Sequence, residues 1–222
     1  LALLGWSAGE EKEIYSLAEL IEKFSLEGIH RSNAVFNFHE SDPRKWTDDK
    51  AIWMNAEYIR NMPLAELLPF VKGELKTAKL WREEYEDESR AWFERTLDLI
   101  RQRFFTLKDF SSQGRAYFSE DYDFDAPAVE KNLKKFPDLE TWLPELADRF
   151  ESEFDAKDYT EENIETIVKA FTEEKGTKLG VIMNGARTLL TGVGVGPSML
   201  SVFETLGLER TLMRLRSRVA WN

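Results

Sequence analysis

Arginine is the residue type in this sequence that offers the widest binding chemistry. Arg101 and Arg103 lie close together, Arg187 lies far along the chain, and further arginines follow near the end. Each has a planar fork of N–H donors that can bind phosphates or the edges of bases. With the turn Gly196-Pro197, arginines on two separate segments can form a pocket for splayed bases of an RNA loop. An ordinary ion-paired surface accounts for the same arginines equally well.

Catalytic groups are poorly represented. The chain has no cysteine and no phosphate-binding P-loop motif, and the spaced glycines between 192 and 196 follow no strand pattern, which argues against a dinucleotide site. His30, His39, Glu40 and Asp42 share one polar stretch, where they form either a metal site or a solvated loop, the commoner case. The sequence therefore predicts no catalytic residues and no metal site.

Composition fits a folded protein with an uneven charge distribution. Of 222 residues, 42% are hydrophobic and 32% charged, a balance too apolar for disorder. The net charge is −11, yet residues 175–222 contain seven basic and two acidic groups, which leaves −16 on the residues before them. This basic end could hold a phosphate backbone locally, since salt screens charges beyond ~8–10 Å; a solvated arginine-rich helix is the alternative. No transmembrane span or signal peptide is predicted, and the lack of cysteine agrees with a cytoplasmic location.

Helical periodicity dominates the elements that must position these arginines. Ser16 and Glu19 have the spacing of a capping box, and Gly28 predicts the end of the helix that they start. Helices are also predicted over 160–174 and 178–190, and residues 121–127 form a turn-rich internal boundary. No strand alternation is evident. The predicted class is all-α.

Seven ordered segments give the chain a resemblance to bacterial-type glutamyl-tRNA synthetases. Each segment alone is short, but together they run through nearly the whole chain in the order that the family shows. The segments are LALLGWS with EIYSLAELIEKFSLEGI (1–29), WMNAEYIR (53–60), RQRFFTLKDF (101–110), YFSEDY (117–122), EEKGTKLG (173–180), ARTLLTG (186–192) and GPSMLSVFETLGLERTLMRL (196–215).

The resemblance implies the C-terminal part of a ligase that uses ATP and Mg²⁺ to join glutamate to tRNA(Glu) in protein synthesis. The family's HIGH-type and KMSKS-type signatures are absent here, so the chain is expected to bind tRNA but not to catalyse the reaction alone, and to need no cofactor itself. The implied parts are a helical stem-contact region at 1–62 and a two-subdomain α-helical anticodon-binding domain at 63–122 and 123–222. Expected partners are tRNA(Glu) and the protein's own N-terminal catalytic domain, with no membrane, no DNA and a monomeric state.

The same resemblance implies roles for individual residues. Arg103, the second arginine of the family's Arg-x-Arg-Phe segment, is expected to contact the third anticodon base, with Arg101 beside it. Arg187 is expected at the first or second anticodon position. Gly196, Pro197 and Met199 are expected at the rim of the anticodon loop. Arginine at 103 indicates a preference for tRNA(Glu) over tRNA(Gln), because it favours C over G at the third base.

Two further interpretations remain at this point. The loop over residues 39–52 is longer than the family usually shows, which indicates either a tolerated insertion or an extra contact to tRNA or to the catalytic half. A helical protein-interaction scaffold, unrelated to aminoacylation, is the alternative function, since an acidic body with scattered aromatic residues would suit it.

Overall fold

The structure is a computed structural model that describes residues 3, 5–30, 49–155 and 157–221. Every regular element within these ranges is helical, apart from one isolated antiparallel bridge between Trp6 and Ile29, which confirms the all-α prediction. The helices are α1 (Leu17–Lys23), α2 (Asp49–Asn61), α3 (Leu64–Thr77), α4 (Arg90–Arg101), α5 (Lys108–Ser111), α6 (Arg115–Phe118), α7 (Ala126–Val129), α8 (Leu139–Glu153), α9 (Glu161–Glu174), α10 (Leu179–Thr191) and α11 (Met199–Leu215), with 3₁₀ turns at Glu83–Glu86 and Val219–Trp221 and a π-helical turn at Glu130–Lys134.

The chain separates into two compact units, Leu1–Pro63 and Leu64–Asn222. The further division of the second unit near residue 122 stays a prediction. The loop at 39–52 and the possible metal ligands His39, Glu40 and Asp42 lie wholly or mostly outside the described residues.

In the first unit, the predicted capping box starts α1. The Ser16 hydroxyl accepts a hydrogen bond from the Glu19 amide, and the Glu19 carboxylate accepts one from the Ser16 amide. The predicted role of Gly28 is wrong, because α1 already ends at Lys23 with an extended Phe24 as its C-cap. Gly28 serves a close approach instead: a Cβ there would lie 2.5 Å from Nε1 of Trp6 and 2.6 Å from the carbonyl oxygen of Ser7.

In the second unit, the core lies between α8, α9, α10 and α11, where rings such as Phe150 and Phe203 meet edge to face with centroids 5.6 Å apart. A second aromatic cluster joins the 3₁₀ turn, α4 and α6. In this cluster Tyr85 stacks on Phe93 at 4.6 Å, and Phe118 of α6 packs against Phe93 at 5.9 Å. Burial of such rings contributes most of the stability of a fold of this kind.

The two helices predicted near the C-terminal end are confirmed with shifts of one residue. Thr160 caps α9, since its hydroxyl accepts from the Asn163 amide at 3.5 Å. The end of α10 is set by Gly192, whose φ of 74° is a left-handed conformation that glycine adopts without steric cost. This turn starts the glycine-rich segment that leads into α11.

Candidate nucleic-acid interface

Arg187 lies on the last turn of α10, directly under the glycine-rich segment. That segment is held at its start, where the Asp125 amide donates to the Gly192 carbonyl at 2.8 Å. At its end, a Cβ on Gly196 would lie 2.8 Å from Nη1 of Arg187. Glycine at 196 therefore lets the backbone lie against the guanidinium group, a contact that a larger residue would prevent without moving the arginine.

The Arg187 side chain is half-buried and lacks the partners that a buried guanidinium group normally has. Its Nη1 is buried and makes no hydrogen bond to any described residue, and no carboxylate in the described ranges lies within 4.0 Å of the side chain. Burial lowers the pKa of Arg187, and the positive charge of Arg103 acts in the same direction. An arginine stays protonated nonetheless, so the structure holds an uncompensated cation here.

Arg103 supplies a second cation close to Arg187. It follows the C-terminal end of α4, where its amide donates to the Ile100 carbonyl at 3.1 Å, and its side chain is exposed. No acidic side chain of the described chain pairs with it. Two neighbouring guanidinium groups without an acid between them repel each other, and an electron-rich partner that accepts from both relieves this repulsion.

The other predicted site residues are placed differently. Arg101 forms an ion pair with Asp98 at 2.6 Å, and only 13% of its side chain is exposed. Met199, the first residue of α11, is 6% exposed. Pro197 is half-buried between Gly196 and the exposed N-cap Ser198. The structure thus brings Arg103, Arg187 and the 196–197 turn to one region of the second unit, while Arg101 and Met199 contact mainly protein.

The basic C-terminal end does not form the free cationic patch that its net charge suggested. Of its seven basic residues, five pair with acids of the second unit. The pairs are Lys175 with Glu145, Arg210 and Arg214 with Glu120, Arg216 with Asp148 and Glu151, and Arg218 with Glu140. Tertiary contacts neutralise these charges, so the net charge of +5 does not become a free cationic surface, and phosphate binding by the terminal arginines stays a prediction. Arg187 and Lys178 are the two that have no ion pair among the described residues.

The Glu120 network is the feature of this region that the sequence reasoning missed. Arg214 is only 3% exposed and donates to Glu120 and to three backbone carbonyls, while its guanidinium group lies 4.6 Å from the centroid of the Tyr122 ring. Burial acts to raise the pKa of Glu120, but the hydrogen bonds and charges of Arg214 and Arg210 together hold it below its ordinary value. The i, i+4 spacing of Arg210 and Arg214 on one helix face was the available signal.

Within the described ranges, no group of three histidine, cysteine, aspartate or glutamate side chains is arranged to hold a metal ion. No helix in these ranges combines the length and the apolar character that a membrane span requires.

Comparison with known proteins identifies the domain. The sequence profile of the family described as "Anticodon binding domain" matches residues 63–219. The glutamate–tRNA ligase of Desulfotalea psychrophila is 47% identical over 97% of this chain, and that of Thermus thermophilus is 35% identical over 99%. A crystal structure of a glutamate–tRNA ligase from Elizabethkingia meningosepticum superimposes with a TM-score of 0.72, at 28% identity over 96% of this chain.

These matches cover only part of each relative. The chain spans 43% and 42% of the two ligase sequences and 38% of the crystallised chain. Such relatives do not favour the scaffold interpretation, because the proteins that the whole chain resembles are tRNA ligases. Since the profile covers well over half of the residues, including both Arg103 and Arg187, the chain belongs to the anticodon binding domain family.

Proposed function

We propose that this chain is the anticodon-reading part of a glutamate–tRNA ligase and that it binds tRNA(Glu) through Arg103 and Arg187. The observation that carries the proposal is the neighbouring pair of guanidinium groups, which have no acidic partner among the described residues. One of the two also has a buried Nη1 that makes no hydrogen bond within the described part of the chain. A buried donor without an acceptor costs about 1–3 kcal/mol, which an incoming acceptor recovers. Bases and phosphates of an RNA loop supply such acceptors.

Arg103 reads the third anticodon base in this proposal. Its exposed fork can donate to the adjacent acceptors O2 and N3 of a cytosine, whereas the corresponding edge of a guanine presents N–H groups that face the donors. A bidentate contact of this kind discriminates by about 1–3 kcal/mol. The ligase is therefore expected to prefer tRNA(Glu) over tRNA(Gln).

Arg187 and the turn that follows α10 form the rest of the proposed surface. Arg187 contacts the first or second anticodon base, and Gly196 and Pro197 form the rim against the RNA loop. Arg101 and Met199 serve the same surface from inside the protein, Arg101 through its ion pair with Asp98 and Met199 as an apolar support at the start of α11.

We propose the activity of a glutamate–tRNA ligase for the longer protein that contains this chain. The longer protein would join glutamate to tRNA(Glu) with ATP and Mg²⁺. Those cofactors would bind the catalytic part that the relatives' greater length supplies. A monomeric state, a cytoplasmic location and contact between residues 1–62 and the tRNA stem remain predictions.

A titration of the chain with transcripts of tRNA(Glu), tRNA(Gln) and an unrelated tRNA, at two salt concentrations, tests the proposal. We expect tRNA(Glu) to bind about tenfold or more tightly than tRNA(Gln), and affinity to fall as salt rises. Equal affinity for all three RNAs would contradict anticodon reading.

The variant Arg103→Gln sharpens the same test. Because the variant lacks the bidentate fork, the ratio of the affinities for tRNA(Glu) and tRNA(Gln) should fall, while binding itself should remain. Arg95→Gln is the matched control, because Arg95 is an exposed arginine on α4 whose Nε donates to the Ala91 carbonyl of its own helix. If both variants keep the wild-type ratio, Arg103 does not read the third base.

A further inference from the structure

Arg214 makes more hydrogen bonds to other parts of the fold than a packing role on α11 needs. Its Nε donates to the Glu120 carboxylate at 2.9 Å, and its Nη1 donates to the Leu190 carbonyl at 2.5 Å. Its Nη2 donates to the carbonyls of Ala116 at 2.8 Å and Ser119 at 3.1 Å. One buried guanidinium group thus ties together the ends of α6 and α10.

Arg210 completes the arrangement from one helical turn earlier. Its Nε donates to the second oxygen of the Glu120 carboxylate at 2.7 Å, and its Nη groups donate to the carbonyls of Tyr117 at 3.0 Å and Ala116 at 3.1 Å. Each oxygen of Glu120 therefore accepts from a different arginine. The network fixes the rotation of α11 against α6, since both guanidinium forks must reach their carbonyls at once.

The elements that this network joins are those that support Arg103 and Arg187. The Leu190 carbonyl lies three residues after Arg187 on α10, so the Arg214 contact holds the turn that presents Arg187. On the other side, Phe118 of α6 packs against Phe93 of α4, and Arg103 follows that helix. A continuous path of packed elements runs from Arg103 through α4, α6 and Arg214 to α10 and Arg187.

A constraint of this kind has a physical reason. Arg103 and Arg187 are close enough for the charge of one to lower the pKa of the other, and no acid of the described chain lies between them. Without RNA, their repulsion favours a wider separation. A rigid connection between their supporting helices keeps the guanidinium groups at the binding separation and lowers the ordering cost of association.

We propose that Arg214, held by Glu120, is a positioning residue that sets the separation of Arg103 and Arg187 and thereby the preference for the third anticodon base. Arg214 does not touch the RNA in this proposal, because it is only 3% exposed and four of its five N–H groups donate to protein acceptors. The inference rests on the proposed function and adds to it a residue that acts on specificity from the interior.

The experiment uses the full chain and two tRNA(Glu) transcripts that differ only at the third anticodon base, C or G. Arg214→Lys keeps the charge but removes the fork, and Glu120→Gln keeps the shape but removes the charge that holds both arginines. Arg216→Lys is the matched control, since Arg216 also lies near the end of α11 but pairs with Asp148 and Glu151 on the surface.

We expect the wild-type affinity ratio of about tenfold or more to fall to within about threefold in Arg214→Lys and in Glu120→Gln, and to persist in Arg216→Lys. Combining Arg214→Lys with Arg103→Gln should cause no further loss of the ratio, because both changes remove the same interaction. If Arg214 only stabilised the fold, Arg214→Lys would lower the melting temperature, but the folded protein would keep the wild-type ratio of affinities for the two transcripts.

Two results would overturn the inference in distinguishable ways. If the wild-type chain shows no preference between the two transcripts, the proposed function fails and the inference fails with it. If the wild type discriminates and Glu120→Gln discriminates equally well, Arg214 and Glu120 only stabilise the fold. Should Arg214→Lys not fold, the ratio measured for Glu120→Gln decides between these readings.

Discussion

Two pairs of arginines in the second unit have the same chemistry and opposite surroundings. Arg210 and Arg214 share the carboxylate of Glu120 and donate further hydrogen bonds to backbone carbonyls. Arg103 and Arg187 lie near each other and have no acidic partner among the described residues. The difference teaches that an arginine bonded to a carboxylate and to backbone carbonyls supports the fold, whereas an arginine without such partners is available to a ligand.

The largest expected effect is on stability, at the pair that Glu120 holds, Arg210 and Arg214. Arg214→Ala removes a buried guanidinium group and takes the Arg214 donors away from the Leu190 and Ser119 carbonyls and from one oxygen of Glu120, which should cost about 3 kcal/mol in the free energy of unfolding. Urea denaturation measures this change. Arg216→Ala, which removes only two exposed ion pairs, should cost less than about 1 kcal/mol. If the free energy of unfolding falls equally in the two variants, the buried bonds of Arg214 stabilise the fold no more than the exposed ion pairs of Arg216.

The pair Arg103 and Arg187 should show the opposite behaviour. Arg187→Met keeps an apolar stem and removes the buried Nη1, so the free energy of unfolding should change by less than about 1 kcal/mol. The affinity for tRNA(Glu) should fall by about 10–100-fold, because one set of donors to the RNA is lost. Fluorescence titration and urea denaturation of the same protein check both parts. A large loss of stability with unchanged affinity would reverse the assignment of the two pairs.

A smaller effect is expected from the backbone beside Arg187. In Gly196→Ala the new Cβ would lie 2.8 Å from Nη1 of Arg187, so the guanidinium group must move. That group is the flexible end of a side chain, and stability should therefore change little while tRNA(Glu) affinity falls about three- to tenfold. The control Gly180→Ala, where no heavy atom lies within 4 Å of the new Cβ, should leave affinity unchanged. Equal affinities for the two variants would remove Gly196 from the site.

The smallest expected effect is on the pH dependence of stability. The pKa of Glu120 is lowered in the folded state against the opposing effect of burial, so its contribution is fully present above the unfolded value of about 4.3 and is lost as pH falls through the folded value. The stability difference between wild type and Glu120→Gln should therefore shrink below about pH 4.3. Because this carboxylate is 47% exposed, the difference at pH 7 should be less than about 1 kcal/mol.

Thermal unfolding of both proteins between pH 3 and pH 7 provides the measurement. Other carboxylates whose pKa is lowered, such as Glu86 beside Lys72 and Glu174 beside Arg149, are present in both proteins and cancel in the difference. A difference that stays constant over this range would show that Glu120 does not titrate with its arginine partners.

Local patterns in the sequence were enough for the helices that have strong end signals. The capping box at Ser16, the cap at Thr160 and the left-handed Gly192 at the end of α10 act within a few residues of the chain, so they are readable without tertiary information. Gly28 shows the limit of this reading. Its neighbours Trp6 and Ser7 lie about twenty residues away in the sequence, and no local rule predicts a close approach between such segments.

The sequence by itself determined the all-α class and, through its seven ordered segments, the family, because periodicity and short motifs are properties of residue order. Only the tertiary structure decided which basic residues remain available. The +5 charge of the last residues predicted a cationic surface, but acids from α8 and from the segment after α6 neutralise most of it. Ion pairs depend on distances of a few ångströms between remote residues, and those distances exist only once the chain has folded.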